Sequence, residues 1–178
     1  MFKHLALFAL MAAPLIEAHY GFAVLTKMSL EKLKLKGAYT NNITDKEIRC
    51  NVGGEQAGDD QGGTTKTFTA EAGTSLGFKM LLTSGMHPGP ASVYMSKAPA
   101  AVSDYDGSGD WFKIHEESVI SDESPMRSVE TWTTFDKTQV NFTIPKDVPD
   151  GEYLVRIEHI GLQHVPAGPA EFYISCAH

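Results

Sequence analysis

Two alternating apolar runs flank a turn in the stretch VNFTIPKDVPDGEYLVRIE, residues 140–158. Apolar and other residues alternate over 140–144 and again over 153–158, on either side of Pro149-Asp150-Gly151. A period of two residues is typical of strands that bury one face, and Pro-Asp-Gly is typical of a tight turn. The stretch therefore predicts two β-strands joined by a short connection.

Further short strands are predicted on both sides of this pair. They lie at 65–82 (split by a turn at Ala72-Gly73), Val93-Tyr94-Met95, 111–114 and Phe172-Tyr173-Ile174. Residues 51–65, 99–109, 116–128 and 163–170 are predicted as loops, whereas 26–39 fits a strand and a helical turn equally well. Short strands with little helical pattern predict an all-β fold, an antiparallel immunoglobulin- or fibronectin-like β-sandwich with long connecting loops.

The first 18 residues have the pattern of a secretory signal peptide. Lys3 precedes an apolar run from Leu5 to Leu15, and small Ala18 supplies a cleavage position. The run is too short to span a bilayer, and a buried N-terminal helix is the alternative. We expect a secreted, extracellular protein with a single domain over residues 19–178.

Charge and missing motifs exclude several classes of function. The formal net charge is −7 over 178 residues, and the sequence has no basic cluster. This argues against nucleic acid and membrane partners but tolerates a neutral polysaccharide. No phosphate-binding loop, nucleophile elbow or Cys-x-x-Cys pair occurs, and no carboxylate pair stands out for glycosidase chemistry.

The two cysteines and two glycosylation sequons fit secretion. Cys50 and Cys176 are predicted to form one disulfide in an oxidising compartment, worth roughly 4–5 kcal/mol in the chain-entropy model; two buried thiols are the alternative. Asn42 and Asn141 each begin an Asn-x-Thr sequon and are predicted glycosylation sites.

His19 follows the predicted cleavage position directly. As the first mature residue it would offer two nitrogen donors, the α-amine and the imidazole, and such donors suit Cu(II). A second imidazole would complete a set of three nitrogens. His87 is the best candidate because the prolines at 88 and 90 constrain its backbone. The spacing leaves the other candidates open, namely His115, His159, His164 and His178.

Seven motifs identify a family resemblance that extends over nearly the whole mature chain. They are His19-Tyr20-Gly21-Phe22, Ile48-Arg49-Cys50-Asn51, Gly85-Met86-His87-Pro88-Gly89-Pro90, Val93-Tyr94-Met95-Ser96-Lys97-Ala98, Gly109-Asp110-Trp111-Phe112-Lys113-Ile114, Gly151-Glu152-Tyr153-Leu154-Val155-Arg156 and Glu171-Phe172-Tyr173-Ile174-Ser175-Cys176-Ala177. In this order they resemble the fungal lytic polysaccharide monooxygenases of auxiliary activity family nine, formerly glycoside hydrolase family sixty-one.

The resemblance implies a copper "histidine brace" on a flat face of a β-sandwich. His19 matches the terminal ligand through its amine and one ring nitrogen, and His87 matches the second imidazole. Tyr173 matches the axial tyrosine. Cys50 and Cys176 match a family disulfide, which would lie close to that tyrosine.

The implied activity is oxidative cleavage of β-1,4-glucan, such as cellulose, by hydroxylation at C1, C4 or both. One copper per chain would use O2 or H2O2 as co-substrate with an external electron donor, and we expect a monomer. A copper-binding protein with little or no polysaccharide oxidation is the alternative. A metal-free carbohydrate-binding or structural sandwich is the third hypothesis.

The sequence departs from the family pattern near the expected oxygen-binding position. His164 matches the family's histidine there if the loop is shifted by one residue, whereas an ungapped reading puts Gln163 at that place. Glu171 stands where the family has glutamine, and a carboxylate accepts hydrogen bonds without donating any. The family's further strand and substrate-facing loop are not present after His178, so a truncated C-terminus is expected. The remaining candidates for stacking on a glucan are Tyr20, Tyr105 and Trp132, the last two more simply explained as core or incidental surface aromatics.

Overall fold

The computed structural model describes residues 22–25, 39–51, 67–80, 86–120, 125–126, 128–135 and 137–178. Within these ranges the strands are β1 Phe22–Leu25, β2 Ser75–Met80, β3 Ala91–Lys97, β4 Phe112–Glu117, β5 Gln139–Thr143, β6 Tyr153–Gly161 and β7 Glu171–Ala177. Short 3-10 turns occupy Lys46–Ile48, Val102–Asp104 and Val129–Thr131. Where the chain is described, its helices are these three-residue turns, far below the length of a bilayer-crossing helix.

The strands form two antiparallel sheets, with the orders β1-β2-β5 and β4-β3-β6-β7. The predicted antiparallel β-sandwich is therefore confirmed. In the four-stranded sheet, Ala91 pairs with His159, and Gly161 pairs with Glu171. The start of β3, the end of β6 and the start of β7 consequently lie together, and we call this the site end of the sandwich.

The main core lies between the sheets and follows the predicted alternation. Phe78, Val93, Val140 and Ile157 are at most 1% exposed, and Phe22 from β1 closes the same cluster. The residues that alternate with these core residues along each strand point away from the core, because successive side chains of a strand point to opposite faces. Apolar burial between the two sheets is thus what holds the sandwich together.

A second buried cluster covers the outer face of the four-stranded sheet. Leu154, in the outward register of β6, is only 2% exposed because Val102, Tyr105 and Cys50 pack over it. Cys50 is bonded to Cys176, with Cα atoms 5.2 Å apart, as the cysteine count predicted. The disulfide fastens the segment at Lys46–Ile48 to β7.

Two segments differ from the strand predictions. In the described part of 65–82, residues 67–80, the strand is confined to the second half, because Phe68 is the one large apolar side chain of residues 67–71 and is 38% exposed. β4 extends to Glu117, into the predicted acidic loop. The turn at Gly73 is confirmed, with a φ of 88°. The predicted leader, residues 26–38 and the loop residues 52–65 lie outside the described residues.

Candidate metal centre

His87 lies in the turn Met86–Pro90, which leads into β3 at the site end. Met86 is buried in the core and His87 is half-buried. Prolines 88 and 90 carry no backbone N–H, so the turn has few donors with which to form hydrogen bonds of its own. Its geometry therefore depends on donors from other segments.

Three successive carbonyls of this turn accept hydrogen bonds from outside it. The Leu162 N–H donates to the Pro88 carbonyl at 2.8 Å, and the Ile160 N–H donates to the Pro90 carbonyl at 3.0 Å. The Thr134 hydroxyl donates to the Gly89 carbonyl at 2.9 Å. A Cβ on Gly89 would lie 1.8 Å from the Ile160 carbonyl oxygen, so only glycine allows β6 and the turn to approach this closely.

Tyr173 lies beneath His87 and is 1% exposed. The ring centroids of His87 and Tyr173 are 5.7 Å apart, and those of His159 and Tyr173 are 6.0 Å apart. Tyr39 contacts the same ring from another side at 5.9 Å. The phenol is therefore held in place by aromatic neighbours, of which the His87 imidazole is half-buried.

The hydroxyl of Tyr173 is bonded to a buried carboxylate. It donates to Glu171 Oε2 at 2.5 Å, and the Gln163 side-chain amide donates to the same oxygen, also at 2.5 Å. His164 Nε2 lies 3.7 Å from the other oxygen, Glu171 Oε1, and the His164 side chain is 53% exposed. The structure thus brings His164, Glu171 and Tyr173 together, and Gln163 joins them.

His159 is fully buried between Tyr173 and the His87 turn. Burial first, and then the nearby charge of His87, lower its pKa from 6.5 to about 3. Hydrogen bonds to the backbone of His87 and Gly89 oppose this shift only in part. The ring is therefore neutral at physiological pH, and it supports the His87 turn from inside the sandwich.

The remaining histidines of the open set are placed elsewhere. His115 on β4 contacts the Glu117 carboxylate at 3.4 Å. The backbone carbonyl of His178 accepts a hydrogen bond from Phe68 at 3.1 Å. His87 is thus the half-buried imidazole beside Tyr173, and its role as a copper ligand stays a prediction.

Of the candidate stacking residues, Tyr105 and Trp132 are core residues. They are 7% and 4% exposed, and the Tyr105 hydroxyl lies 2.6 Å from the Ser96 hydroxyl. Neither side chain offers a ring face to a polysaccharide, so the simpler interpretation as core aromatics is confirmed. Tyr20 lies outside the described residues.

Both sequons are exposed. Asn42 precedes the turn at Lys46–Ile48, and its side-chain oxygen accepts from the Thr44 hydroxyl at 2.7 Å. Asn141 lies on β5 and accepts from the Gln139 amide at 2.7 Å. Glycosylation at either asparagine stays a prediction.

The described donors fit part of a copper site. Within the described ranges, no group of three or more His, Cys, Asp or Glu side chains is arranged to hold a metal. His87 offers an imidazole nitrogen, a donor that suits Cu(II), and Tyr173 offers a phenol oxygen beside it. His19 lies outside the described residues, so its predicted amine and imidazole donors stay a prediction.

Sequence reasoning missed Thr134 and left His159 as one open candidate among several. The strand pattern contains a signal for His159, because it follows Tyr153, Val155 and Ile157 at a spacing of two and so shares their inward face. Thr134 gives no such signal, since its partner Gly89 is distant in sequence.

The fold and the site together define an antiparallel β-sandwich with an imidazole and a buried phenol beside each other at one end. The family model described as "Auxiliary Activity family 9 (formerly GH61)" matches residues 18–178. The chain belongs to this family.

The chain is similar in sequence to curated proteins of this family and similar in fold to solved structures. The chain is 41% identical to "AA9 family lytic polysaccharide monooxygenase A" of Aspergillus fumigatus over 92% of this chain and 61% of that protein. The "Crystal structure of HiLPMO9B" matches with a TM-score of 0.67 and 26% identity, over 80% of this chain and 61% of that one.

A second solved structure is the "Cellulose-active Polysaccharide Monooxygenase from M. thermophila (MtPMO3*)". It matches with a TM-score of 0.61 and 28% identity, over 75% of this chain and 57% of that one. The chain spans about three-fifths of the length of the first curated relatives that it matches.

Proposed function

We propose that this chain is a copper-dependent lytic polysaccharide monooxygenase that cleaves cellulose or a related β-1,4-glucan by hydroxylation at C1, C4 or both. The observation that carries the proposal is the half-buried His87 imidazole directly beside the buried Tyr173 phenol. Family membership and a cellulose-active structure 28% identical to this chain support the reaction and the substrate class.

The proposed copper ligands are the His19 amine, one ring nitrogen of His19, the imidazole of His87 and the Tyr173 hydroxyl. When bound, copper supplies one-electron redox chemistry toward O2 or H2O2 with an external reductant, as in the family. Copper competes with a proton for the terminal amine, whose ordinary pKa is about 7.7–8, so apparent affinity should weaken in acid.

The position of β1 supports a contribution from His19. The Phe22 N–H donates to the Ser175 hydroxyl at 3.4 Å, and Ser175 lies two residues from Tyr173 on β7. Three residues of extended chain span at most about 10–11 Å. This length would allow His19, three residues before Phe22, to reach the neighbourhood of Tyr173.

The chain's own residues then have separate roles. The tied carbonyls of the Met86–Pro90 turn orient His87. Glu171 accepts a hydrogen bond from the Tyr173 hydroxyl. The lone pairs of the phenol oxygen are therefore directed away from the carboxylate. His164 Nε2 faces Glu171 Oε1 and, being exposed, can hold or pass a proton at that atom.

We further propose secretion after loss of residues 1–18, a single domain over 19–178 and a monomeric state. The acidic net charge and the two exposed sequons support an extracellular protein that meets a neutral polymer. The proposed glucan would lie across the site end, where His87 approaches the surface.

The test uses secreted protein whose N-terminal residue has been verified as His19. Copper-loaded protein is incubated with ascorbate and H2O2 on swollen cellulose, xyloglucan and mixed-linkage glucan, and products are analysed by mass spectrometry. Oxidised oligosaccharides are the expected result. Copper binding without oxidised products from any of the three glucans would contradict the proposed activity.

A variant that retains Ala18 in front of His19 is the matched control. It keeps every side chain but turns the terminal amine into an amide, so only one proposed donor is lost. We expect it and His87→Ala to release no oxidised products. Equal activity in the Ala18-retaining protein would contradict the role of the amine.

A further inference from the structure

We propose that Thr134 is a positioning residue for His87, acting through the carbonyl of Gly89. The inference rests on the proposed copper site. Thr134 is fully buried, and its hydroxyl donates to the Gly89 carbonyl at 2.9 Å. Gly89 is two residues from His87, within the same turn.

The Thr134 hydroxyl holds the carbonyl in the middle of the turn, whereas the carbonyls on either side are held by backbone groups. The Pro88 and Pro90 carbonyls are tied to the backbone N–H groups of Leu162 and Ile160, which belong to the end of β6 and the residue just beyond it. These two bonds fix one side of the turn against the four-stranded sheet. Thr134 comes from the β4–β5 connection (residues 118–138) and fixes the turn from a different segment.

The contact joins separate parts of the sandwich at the site end. The β4–β5 connection runs from the four-stranded sheet to β5 of the three-stranded sheet, whereas the turn leads into β3 of the four-stranded sheet. A bond between them holds the His87 imidazole relative to both sheets. Tyr173 lies in the four-stranded sheet, and the proposed ligand His19 precedes β1 of the other sheet in sequence.

His159 also holds the His87 turn, from the buried side. Its ring forms hydrogen bonds with the backbone of His87 and Gly89 and lies against Tyr173. The Gly89 backbone is thus held by a hydroxyl from the connection between the two sheets and by an imidazole from the four-stranded sheet. Loss of the hydroxyl leaves a buried carbonyl without one of its donors, so the turn is expected to relax and carry His87 with it.

The chain offers a closely matched control in Thr131. This threonine is also fully buried, and its hydroxyl also donates to a backbone carbonyl at 2.9 Å. Its acceptor is Pro125, within the β4–β5 connection and not in the His87 turn. Thr131→Val and Thr134→Val therefore each remove a hydroxyl from a fully buried side chain. They differ in the carbonyl that loses its donor.

The experiment compares Thr134→Val, Thr134→Ser and Thr131→Val in processed full-length protein. Cu(II) affinity is measured by competition titration, and the site is examined by electron paramagnetic resonance. Loss of a hydrogen-bond partner of a metal ligand typically costs 10–100-fold in metal affinity, and since Thr134 acts through the turn backbone we expect Thr134→Val to weaken Cu(II) binding by about tenfold. Its copper spectrum should change as well, while Thr134→Ser restores both properties.

Thr131→Val separates positioning from general stability. Both valine variants should lower the melting temperature of the copper-free protein by similar amounts, but only Thr134→Val should alter copper affinity and spectrum. Equal copper effects in the two valine variants would overturn the proposal. If Thr134→Val does not fold, Thr134→Ala and Thr131→Ala provide the same comparison.

A copper-free measurement distinguishes this inference from the proposed function. The amide and ring resonances of His87 are followed by NMR in the three variants without metal. Larger shifts in Thr134→Val than in Thr131→Val support the positioning role, and equal shifts contradict it. A wild-type protein that fails to bind copper would defeat the proposed function, while this comparison would still decide the role of Thr134.

Discussion

The hydroxyl of Tyr173 donates a 2.5 Å hydrogen bond to the carboxylate of Glu171, two residues earlier on β7. Gln163 donates to the same carboxylate oxygen, so a buried acceptor serves two donors at once. Glutamine is the residue that the family resemblance leads one to expect at this place. The difference puts an acceptor-only group beside the proposed axial ligand.

Glu171→Gln should keep the hydrogen bonds and remove a charge. The amide oxygen can still accept from Tyr173 and Gln163, so we expect a folded protein that binds Cu(II). A negative charge near a metal favours its more oxidised state, and its removal should raise the Cu(II)/Cu(I) potential. Redox titration with mediators measures the potential.

Glu152→Gln is the matched control for that charge. Glu152 lies just before β6, far along the strand from Gly161, and its carboxylate accepts from the Val102 N–H. The same chemical change there should leave the potential unaltered. Equal shifts in the two variants would argue against a local effect of Glu171 on the metal.

Gly89→Ala should be one of the most damaging small substitutions in the described chain. The added Cβ would lie 1.8 Å from the Ile160 carbonyl oxygen, a backbone atom that cannot move aside. We expect the free energy of unfolding to fall by more than the about 1–3 kcal/mol that backbone strain alone costs. Urea denaturation measures the loss.

Gly73→Ala isolates the strain component. Gly73 also has a positive φ, of 88°, but its added Cβ would meet only the Lys146 side chain at 3.4 Å. We expect a loss of about 1–2 kcal/mol there. A Gly89→Ala protein no less stable than Gly73→Ala would show that the turn and β6 do not approach as described.

His159 should make the copper-free protein less stable in acid. Its folded pKa is about 3, depressed from 6.5, so between these values the unfolded chain binds a proton that the folded protein does not. The stability that the neutral His159 allows is fully present above pH 6.5. The free energy of unfolding then falls as pH falls toward 3, by up to about 1.4 kcal/mol per pH unit. Urea denaturation at several pH values gives the slope.

His159→Phe provides the comparison for that slope. Phenylalanine keeps a ring against Tyr173 but has no group to titrate. The stability of the variant should depend less steeply on pH between 6.5 and 4 than that of the wild type. Parallel curves for the two proteins would mean that His159 is not the source of the acid sensitivity.

Both exposed sequons should carry glycans in a eukaryotic secretion host. Asn42 lies in a surface turn and Asn141 faces outward on β5. Asn42→Gln and Asn141→Gln should each reduce the intact mass by one glycan, and the double variant should not change on treatment with a glycosidase. An unchanged wild-type mass after glycosidase treatment would refute modification at both sites.

Local pattern was enough to predict most of the described fold. Strands β5 and β6 follow from the period-two alternation around Pro149-Asp150-Gly151, and the lone cysteine pair predicted the disulfide. Residues 67–71 were predicted as a strand because of their threonines, but Phe68 alone supplies no apolar face. Leu154 lies in the outward register, and its burial depends on the distant segment around Val102.

The candidate site was also predictable only where local pattern or a family motif identifies a residue. His87 was predicted from the prolines beside it, and Tyr173 was predicted from the family motif. The bonds from Thr134 to Gly89 and from Gln163 to Glu171 depend on how connections fold back at the site end. No periodicity reports such contacts, because they join side chains that local pattern does not relate.

The most direct test of the account is the copper spectrum of processed protein that begins at His19. Electron paramagnetic resonance should show one Cu(II) per chain with coupling to three nitrogens, two from His19 and one from His87. The coupling should lose one nitrogen in the variant that retains Ala18 and one in His87→Ala. A wild-type spectrum that neither change alters would contradict a copper site built from His19 and His87.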